Sequence, residues 1–170
     1  MKPDWKQLFE IFGVLGIIAS LLFVGMQMQL DRKIAMAEQY QNRAELRLEG
    51  IRNLQANPDF VRDRAYQWER SRPEWWTDDV EAGYMQRFES MDAFVRSTMN
   101  FEDFVVAFDN NYYQYRNGLL EGGFWQPMLE RMRNALLDPV PRAMAPTLTV
   151  SQETIDLMNQ LIRENQGASQ

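Results

Sequence analysis

The N-terminal part of the chain contains a long apolar run that predicts a membrane-spanning helix. Residues 11–26 read IFGVLGIIASLLFVGM, with no charged residue and with Ser20 as the only polar side chain. Extended to Leu8 and Leu30, the segment has 23 residues, a helix of about 34 Å that would cross a hydrocarbon core of about 30 Å. In lipid, only a helix lets a single segment satisfy its own backbone polar groups. Trp5 lies just outside, where an indole prefers the lipid headgroup level.

Other interpretations of this segment stay open from the sequence. A cleaved signal peptide needs a small-x-small site after the apolar run, and the sequence GMQMQLD that follows offers none. A core helix of a water-soluble protein is an alternative, because the strictly apolar stretch is only 16 residues long. For orientation, the cations within residues 32–47 favour a cytoplasmic C-terminal part, whereas Lys2 and Lys6 support the opposite arrangement.

Small residues recur along one face of the predicted membrane helix. Gly13, Gly16 and Ser20 follow one another at three and four residues, and Gly16 and Ser20 form a small-xxx-small pair. Such a face lets another helix approach closely, so we predict that it docks a helix of a partner protein. Glycine is also common in membrane helices in general, which leaves a purely compositional explanation open.

Beyond the membrane segment, apolar residues keep a helical spacing as far as the first internal proline. Their spacing alternates between four and three, which predicts that the same helix continues and packs one face against the rest of the chain. These residues are Leu30, Ile34, Ala37, Ala44, Leu48 and Ile51. Asn57-Pro58 then ends this helix and begins the next, because proline suits the first helical position and Asn57 can cap it.

The remaining pattern predicts three further helices and one irregular segment. The first begins at Thr77 or Asp78, runs to about residue 119 with a kink near Asn100, and ends at Gly118 and the pair Gly122-Gly123. Helices over 124–137 and from Ser151 onward follow, and the Pro-rich stretch 138–146 between them reads as extended.

The predicted fold class is all-α, because no segment alternates with the period of two that a strand requires. One N-terminal transmembrane helix continues into a small extramembrane helical bundle. We expect three segments: an N-terminal tail and membrane helix (1–30), an extramembrane helical domain (31–137), and a Pro-rich extended segment with a C-terminal helix (138–170).

The composition excludes several classes of function but does not identify one. The 170 residues include no Cys and no His, which removes thiol nucleophiles, the commonest general base and the usual zinc or haem ligand. The formal net charge of −6 argues against a nucleic-acid partner, which normally requires a basic surface. Self-association through a coiled coil is possible but not favoured, because Ala and Gln pack poorly at the interface between the helices of a coiled coil.

Carboxylates are the only groups left for acid–base or metal chemistry. Glu89 and Asp92 lie one helical turn apart, and Glu102 and Asp109 lie two turns apart. Without His, the ligand set of a helix-bundle di-iron site is incomplete, so a solvated helix face is the better explanation. The glycines of residues 118–123 lack the GK[ST] ending of a phosphate loop. We predict no catalytic residue, no metal site and no cofactor.

Two aromatic clusters are candidate interfaces. Tyr112, Tyr113, Tyr115 and Arg116 combine residue types that are favoured at the centres of protein interfaces. Trp75 and Trp76 lie near several arginines and could stack on them, sit at the headgroup boundary or contact a partner. Core packing is the alternative for both clusters.

The sequence resembles a group of uncharacterised bacterial single-pass membrane proteins. The resemblance rests on WKQLFEIFGVLGIIASLLFVGMQMQ at 5–29, NPDF at 57–60 and NNYYQYRNGLLEGGFWQ at 110–126, which contains a YYQYxxGLL-like motif. It covers residues 5–60 and 100–130 and implies an architecture but no activity. The Pro-rich tail from Asp138 departs from the pattern.

From these features we expect a non-catalytic accessory subunit in the inner membrane of a bacterium. Its partners would be the lipid bilayer and other membrane-protein subunits, such as those of electron-transport or light-harvesting assemblies. The alternative is a membrane-tethered regulator or sensor that binds a soluble partner or a small ligand through its helical domain.

Overall fold

The computed structural model describes the backbone of residues 5–167 and the side chains of Trp5 and residues 9–167, and this part of the chain consists of helices joined by turns and irregular segments, without a β-strand. Its α-helices are α1 (Trp5–Ala56), α2 (Pro58–Arg70), α3 (Asp78–Arg87), α4 (Met91–Arg116), α5 (Gly122–Ala135), α6 (Pro139–Met144) and α7 (Gln152–Gly167). A 3₁₀ turn, Ala145–Thr147, follows α6. The all-α prediction is therefore confirmed for the described residues.

The chain divides into two compact units between Gln39 and Tyr40, inside α1. In the first unit, every described side chain from Phe9 to Met36 is exposed, including the whole apolar run. Leu30 and Ile34 are among these exposed side chains, so the prediction that they pack on the rest of the chain is wrong. The predicted division into segments 1–30, 31–137 and 138–170 stays a prediction.

The second unit has its own apolar core, with α4 at its centre. Helix α4 packs against α2, α5 and α6, while α3 packs on α6 and α5 on α7. From α1, Ala44 and Ile51 enter this core, and the half-buried Leu48 packs against it, as their spacing predicts. Phe94 and Phe108 on α4 are fully buried in the core.

Local capping explains where several helices begin and end. Asn57 accepts hydrogen bonds from the backbone amides of Asp59 and Phe60 at 3.0 and 3.3 Å, and Pro58 occupies the first helical position, as predicted. At the end of α4, Gly118 adopts a left-handed φ of +72°. The amide of Leu119 then bonds back to the carbonyl of Gln114 at 2.9 Å, so Gly118 terminates α4 in a Schellman-type arrangement.

The predicted single helix from residue 77 to residue 119 is interrupted, but not near Asn100. Helix α3 ends at Arg87, and α4 begins at Met91 with Ser90 as its cap, the Ser90 hydroxyl accepting from the amide of Ala93 at 3.2 Å. Residue Asn100 lies inside the continuous α4, where its side-chain oxygen accepts from Gln55 at 3.1 Å. The break follows from the serine cap rather than from the asparagine.

The prediction that 138–146 is extended is wrong. Asp138 caps α6 by accepting from the amide of Val140 at 2.9 Å, and Pro139 occupies its first position. Amides of the first helical turn have no intrahelical partner, so the missing N–H groups of Pro139 and Pro141 cost nothing there. The Asp138-Pro139 pair is therefore a helix start.

Candidate functional site

A solvent-accessible depression of about 440 Å³ lies in the second unit, where the C-terminal end of α4 meets Tyr40 of α1 and the start of α7. We call it the tyrosine pocket. Its lining residues are Tyr40, Tyr112, Tyr113, Arg116, Asn117, Ser151 and Glu153. Three of the predicted interface residues, Tyr112, Tyr113 and Arg116, thus come together in it.

The pocket is built on one buried carboxylate, that of Asp109. Its Oδ2 accepts from the Tyr40 hydroxyl at 2.6 Å. Its Oδ1 accepts from the backbone amide of Ser151 at 3.2 Å, from the Ser151 hydroxyl, and from the Thr154 hydroxyl at 2.7 Å. Asp109 is only 9% exposed, so these four donors compensate for the burial of its charge. One side chain therefore joins α1, α4 and the N-terminal turn of α7.

Ser151 also caps α7 directly, as the sequence predicts. Its hydroxyl oxygen accepts from the backbone amide of Thr154 at 3.3 Å, while the same hydroxyl donates to Asp109. A carboxylate at the N-terminal end of a helix is favourable because the helix dipole is positive there. The start of α7 is consequently fixed by both a local cap and a charge from α4.

Tyr40 and Tyr113 form a stacked aromatic pair in the wall of the pocket. Their rings are parallel within 3°, and their centroids lie 4.1 Å apart. Burial, together with the hydrogen bond to Asp109 and its negative charge, raises the pKa of the Tyr40 hydroxyl well above its ordinary value. Tyr40 therefore stays neutral at physiological pH and serves as a hydrogen-bond donor to Asp109.

The rim of the pocket carries one charge of each sign. A guanidinium nitrogen of Arg116 lies 3.4 Å from a carboxylate oxygen of Glu153, and the two side chains are 48% and 58% exposed. A tight guanidinium–carboxylate hydrogen bond is about 2.7–2.9 Å long, so this ion pair is loose. Arg116 also lies over the ring of Tyr112, 5.7 Å from its centroid.

The third predicted tyrosine, Tyr115, does not line the pocket. Its ring stacks on Trp125 at 5.2 Å and within 14° of parallel. Trp125 is 3% exposed and also lies against Tyr112 and Phe108, at 5.2 and 5.0 Å. Sequence reasoning missed Trp125 as the residue that supports this end of α4. The available signal was its position one turn inside an amphipathic helix.

The other predicted interface residues, Trp75 and Trp76, belong to a separate aromatic cluster. Trp75 lies edge-on to Trp68 at 5.5 Å, and Trp76 lies 4.9 Å from the buried Phe94. The indole N–H of Trp76 donates to Glu81 at 2.6 Å, and Arg72 lies 4.3 Å from the centroid of the Trp76 ring. Both tryptophans are half-buried against the core, and their role in an interface stays a prediction.

The predicted helix-docking residues Gly13, Gly16 and Ser20 lie in the first unit and are exposed. A Cβ atom added to Gly13 or Gly16 would have no neighbour within 4 Å among the described residues. The Ser20 hydroxyl donates to the carbonyl of Gly16 at 2.8 Å, one turn earlier, which satisfies this polar group within the helix. Partner docking at this face stays a prediction.

Two of the carboxylates considered for metal binding are used in other ways. Glu102 pairs with Arg47 at 3.4 Å, and Asp109 accepts the four hydrogen bonds described above. Within the described part of the chain, no three Asp or Glu side chains are grouped so that they could hold a metal ion.

No protein-family model matches the sequence, and no curated protein or solved structure matches it significantly. The resemblance to bacterial single-pass membrane proteins therefore stays an expectation.

Proposed function

We propose that the protein is a non-catalytic, single-pass subunit of a larger assembly in a bacterial inner membrane. One observation carries the proposal. Helix α1 contains, near the N-terminus, a stretch that is long and apolar enough to cross a membrane, and none of that stretch is buried. Leaving such a surface in water would be unfavourable by about 25 cal/mol for each Å² of apolar area. A bilayer removes that cost.

The alternatives explain this helix less well. A core helix of a water-soluble protein is mostly buried, whereas here every described side chain from Phe9 to Met36 is exposed. A cleaved signal sequence needs a processing site, and α1 instead continues without interruption to Ala56, with Ala44 and Ile51 in the core of the second unit. These features support a retained membrane anchor.

The small-residue face supports a partner within the membrane. Gly13, Gly16 and Ser20 leave a shallow groove along one side of an otherwise bulky helix. The second unit has a core of its own, which suits a domain that braces the surface of an assembly outside the bilayer. The cations of residues 32–47 support a cytoplasmic position for that domain.

Extraction of membranes with alkaline carbonate tests the anchor. The wild-type protein is expected to stay in the membrane pellet, because carbonate removes peripheral proteins but not spanning helices. A Val14→Arg/Ile18→Arg variant places two charges in the apolar run and is expected to move to the supernatant. Complete extraction of the wild type would contradict membrane spanning.

Co-purification in mild detergent tests the docking face. Gly16→Leu is expected to release the protein from its partner, because a leucine side chain fills the groove that a neighbouring helix would occupy. Gly25→Leu is the matched control, since Gly25 is equally open and lies about 180° around the helix from Gly16. Retention of the same partner by both variants would contradict the proposed docking face.

A second candidate function is favoured by the tyrosine pocket. A membrane-tethered regulator that binds a small ligand would need a concave site with convergent polar groups on a rigid support. The second unit provides such a site, with aromatic walls and the hydrogen-bonded Asp109 beneath it. The two functions are compatible, because the anchor and the pocket use different residues.

A further inference from the structure

We infer that the tyrosine pocket binds a small zwitterion, a free α-amino acid with an apolar side chain. The inference deepens the second candidate function, the ligand-binding regulator, and rests on it. The pocket volume of about 440 Å³ lies in the range of small-molecule sites, about 300–1,000 Å³. The choice of ligand follows from the charges, the free polar atoms and the aromatic walls.

The rim charges match a molecule that carries both signs. Arg116 can take a carboxylate through its fork of parallel N–H donors, and Glu153 can take an ammonium group. These two side chains satisfy each other poorly at 3.4 Å and lie on different helices, so a ligand can separate them and bind both. Asp109 lies behind the wall and adds a second negative charge, which disfavours a ligand that is only an anion.

Several polar atoms of the pocket are free to bind a ligand. Among the described residues, no group makes a hydrogen bond with the hydroxyl of Tyr112 or of Tyr113. The side-chain nitrogen of Asn117 donates to the carbonyl of Tyr113 at 2.8 Å, which leaves its side-chain oxygen as an acceptor. Two hydroxyl donors and one amide acceptor thus accompany the charged pair.

The aromatic walls provide the surface for the apolar part of the ligand. The stacked pair of Tyr40 and Tyr113 contributes aromatic surface to the pocket lining, and an exposed tyrosine face also attracts an ammonium group. Tyr40 is held by its bond to Asp109 at 2.6 Å, and Tyr112 is supported from behind by Trp125. A site held in this way loses little conformational entropy on binding, which favours affinity for a small molecule.

A series of related ligands tests the inference on the full-length protein in lipid nanodiscs. Calorimetric titrations would compare phenylalanine with 3-phenylpropionate, which lacks the ammonium, and with phenethylamine, which lacks the carboxylate. Phenylalanine is expected to bind at least tenfold more tightly than either analogue. Equal binding of one analogue, or no binding of phenylalanine, would overturn the inference. The inference would also be overturned if glycerophosphoethanolamine bound and phenylalanine did not, because the site would then recognise a lipid headgroup.

Two variants assign the ends of the ligand. Arg116→Gln is expected to weaken phenylalanine binding at least tenfold while leaving the weak binding of phenethylamine unchanged. Glu153→Gln is expected to weaken phenylalanine equally while leaving 3-phenylpropionate unchanged. The exposed residues Arg163 and Glu74 provide the controls Arg163→Gln and Glu74→Gln, which should bind like the wild type. Unchanged binding by both pocket variants would refute the assignment.

Failure of this inference is distinguishable from failure of the membrane anchor. Loss of the anchor would appear in carbonate extraction, and the ligand series would then be titrated on the protein without nanodiscs, because all the lining residues of the pocket lie in the second unit. If either pocket variant fails to fold, as judged by its circular dichroism, the ligand series on the wild-type protein still decides the question.

Discussion

Removal of the Asp109 carboxylate should destabilise the second unit more than removal of any surface carboxylate. The substitution Asp109→Ala deletes the acceptor for Tyr40, for both donors of Ser151 and for Thr154. Two segments that are distant in sequence, one with Tyr40 and one with Ser151 and Thr154, lose their common partner on α4 at once. The start of α7 loses its charged acceptor as well.

The expected magnitude follows from the burial of each donor. A hydrogen bond to a charged group contributes about 1.5–3 kcal/mol, and a buried donor left without a partner costs about 1–3 kcal/mol. Tyr40 and Ser151 are half-buried and can recover part of the loss by bonding to water. Thr154 is fully buried and keeps only its 3.1 Å contact with the Ser151 hydroxyl. We therefore expect Asp109→Ala to lower the free energy of unfolding by about 3–5 kcal/mol.

Asp109→Asn separates charge from hydrogen bonding. The amide oxygen can replace Oδ1 and keep its three donors, while the amide nitrogen donates to the Tyr40 oxygen. The charge assistance is lost and the hydroxyl proton of the half-buried Tyr40 must bond to water instead, so the expected cost is about 1–2 kcal/mol. Tyr40→Phe, alone and combined with Asp109→Ala, measures the coupling in a double-mutant cycle, with an expected value of about 1 kcal/mol.

Urea unfolding of the full-length protein in detergent, followed by circular dichroism and tryptophan fluorescence, measures these values. Asp156→Ala is the matched control, because Asp156 is an exposed carboxylate on α7 whose one hydrogen bond among the described residues comes from Gln152, one turn away. Its expected cost is below about 0.5 kcal/mol. We expect the free energies of unfolding of Asp109→Ala and Asp156→Ala to differ by about 3–5 kcal/mol. A difference below about 1 kcal/mol would refute the role assigned to Asp109.

Three further outcomes test the fold and its orientation. Gly118→Ala should cost about 1 kcal/mol in urea unfolding, because alanine is strained at a φ of +72°, and a neutral result would contradict the left-handed turn. Burial alone would raise the pKa of Asp138, but the hydrogen bond and charge of Arg87 outweigh it and hold that pKa below its usual 3.8. The Arg87–Asp138 ion pair therefore stabilises the fold above pH 3.8, and this stabilisation is lost as the pH falls through the pKa of Asp138 in the folded protein. At neutral pH we expect Asp138→Asn to be less stable than the wild type by about 0.5–1 kcal/mol, and this difference should shrink on acidification. Protease added to intact spheroplasts should spare residues 40–170, and their digestion would reverse the proposed orientation.

Sequence reasoning succeeded where a structure depends on neighbouring residues. The Asn57-Pro58 start of α2, the Gly118 end of α4 and the Ser151 cap of α7 each depend on two to five consecutive residues. A cap satisfies backbone groups within one turn, so its geometry can be read from a short sequence window. The same logic applied to Ser90 would have located the break before α4.

The failures have physical causes that are specific to each segment. The sequence of the Pro-rich stretch predicts an extended segment because prolines disrupt helix interiors, yet Pro139 and Pro141 lie in the first turn of α6 after the cap Asp138. The apolar spacing assigns Leu30 and Ile34 to a packed face, although they belong to the part of α1 whose side chains are exposed. Helical periodicity identifies a face but does not state whether protein or lipid covers it.

The candidate site could be predicted only in part, because its central residue is defined by contacts between distant segments. Tyr112, Tyr113 and Arg116 stand out in the sequence as a dense polar and aromatic cluster. Asp109 appeared only as one of two carboxylates spaced two turns apart, and its partners lie 69, 42 and 45 residues away, at Tyr40, Ser151 and Thr154. A periodicity argument cannot reveal contacts at such separations.

The placement of Asp109 also bears on how the pocket and α7 depend on one another. The carboxylate that holds the Tyr40 ring in the pocket wall is the same group that holds the Ser151 and Thr154 turn, and Glu153 lies between those two residues. A change that shifts the start of α7 therefore moves a rim charge and disturbs a wall at the same time. A buried charge requires several hydrogen-bond donors, and the donors of Asp109 lie on the helices that line the pocket. The same carboxylate therefore both stabilises the fold and orients the pocket.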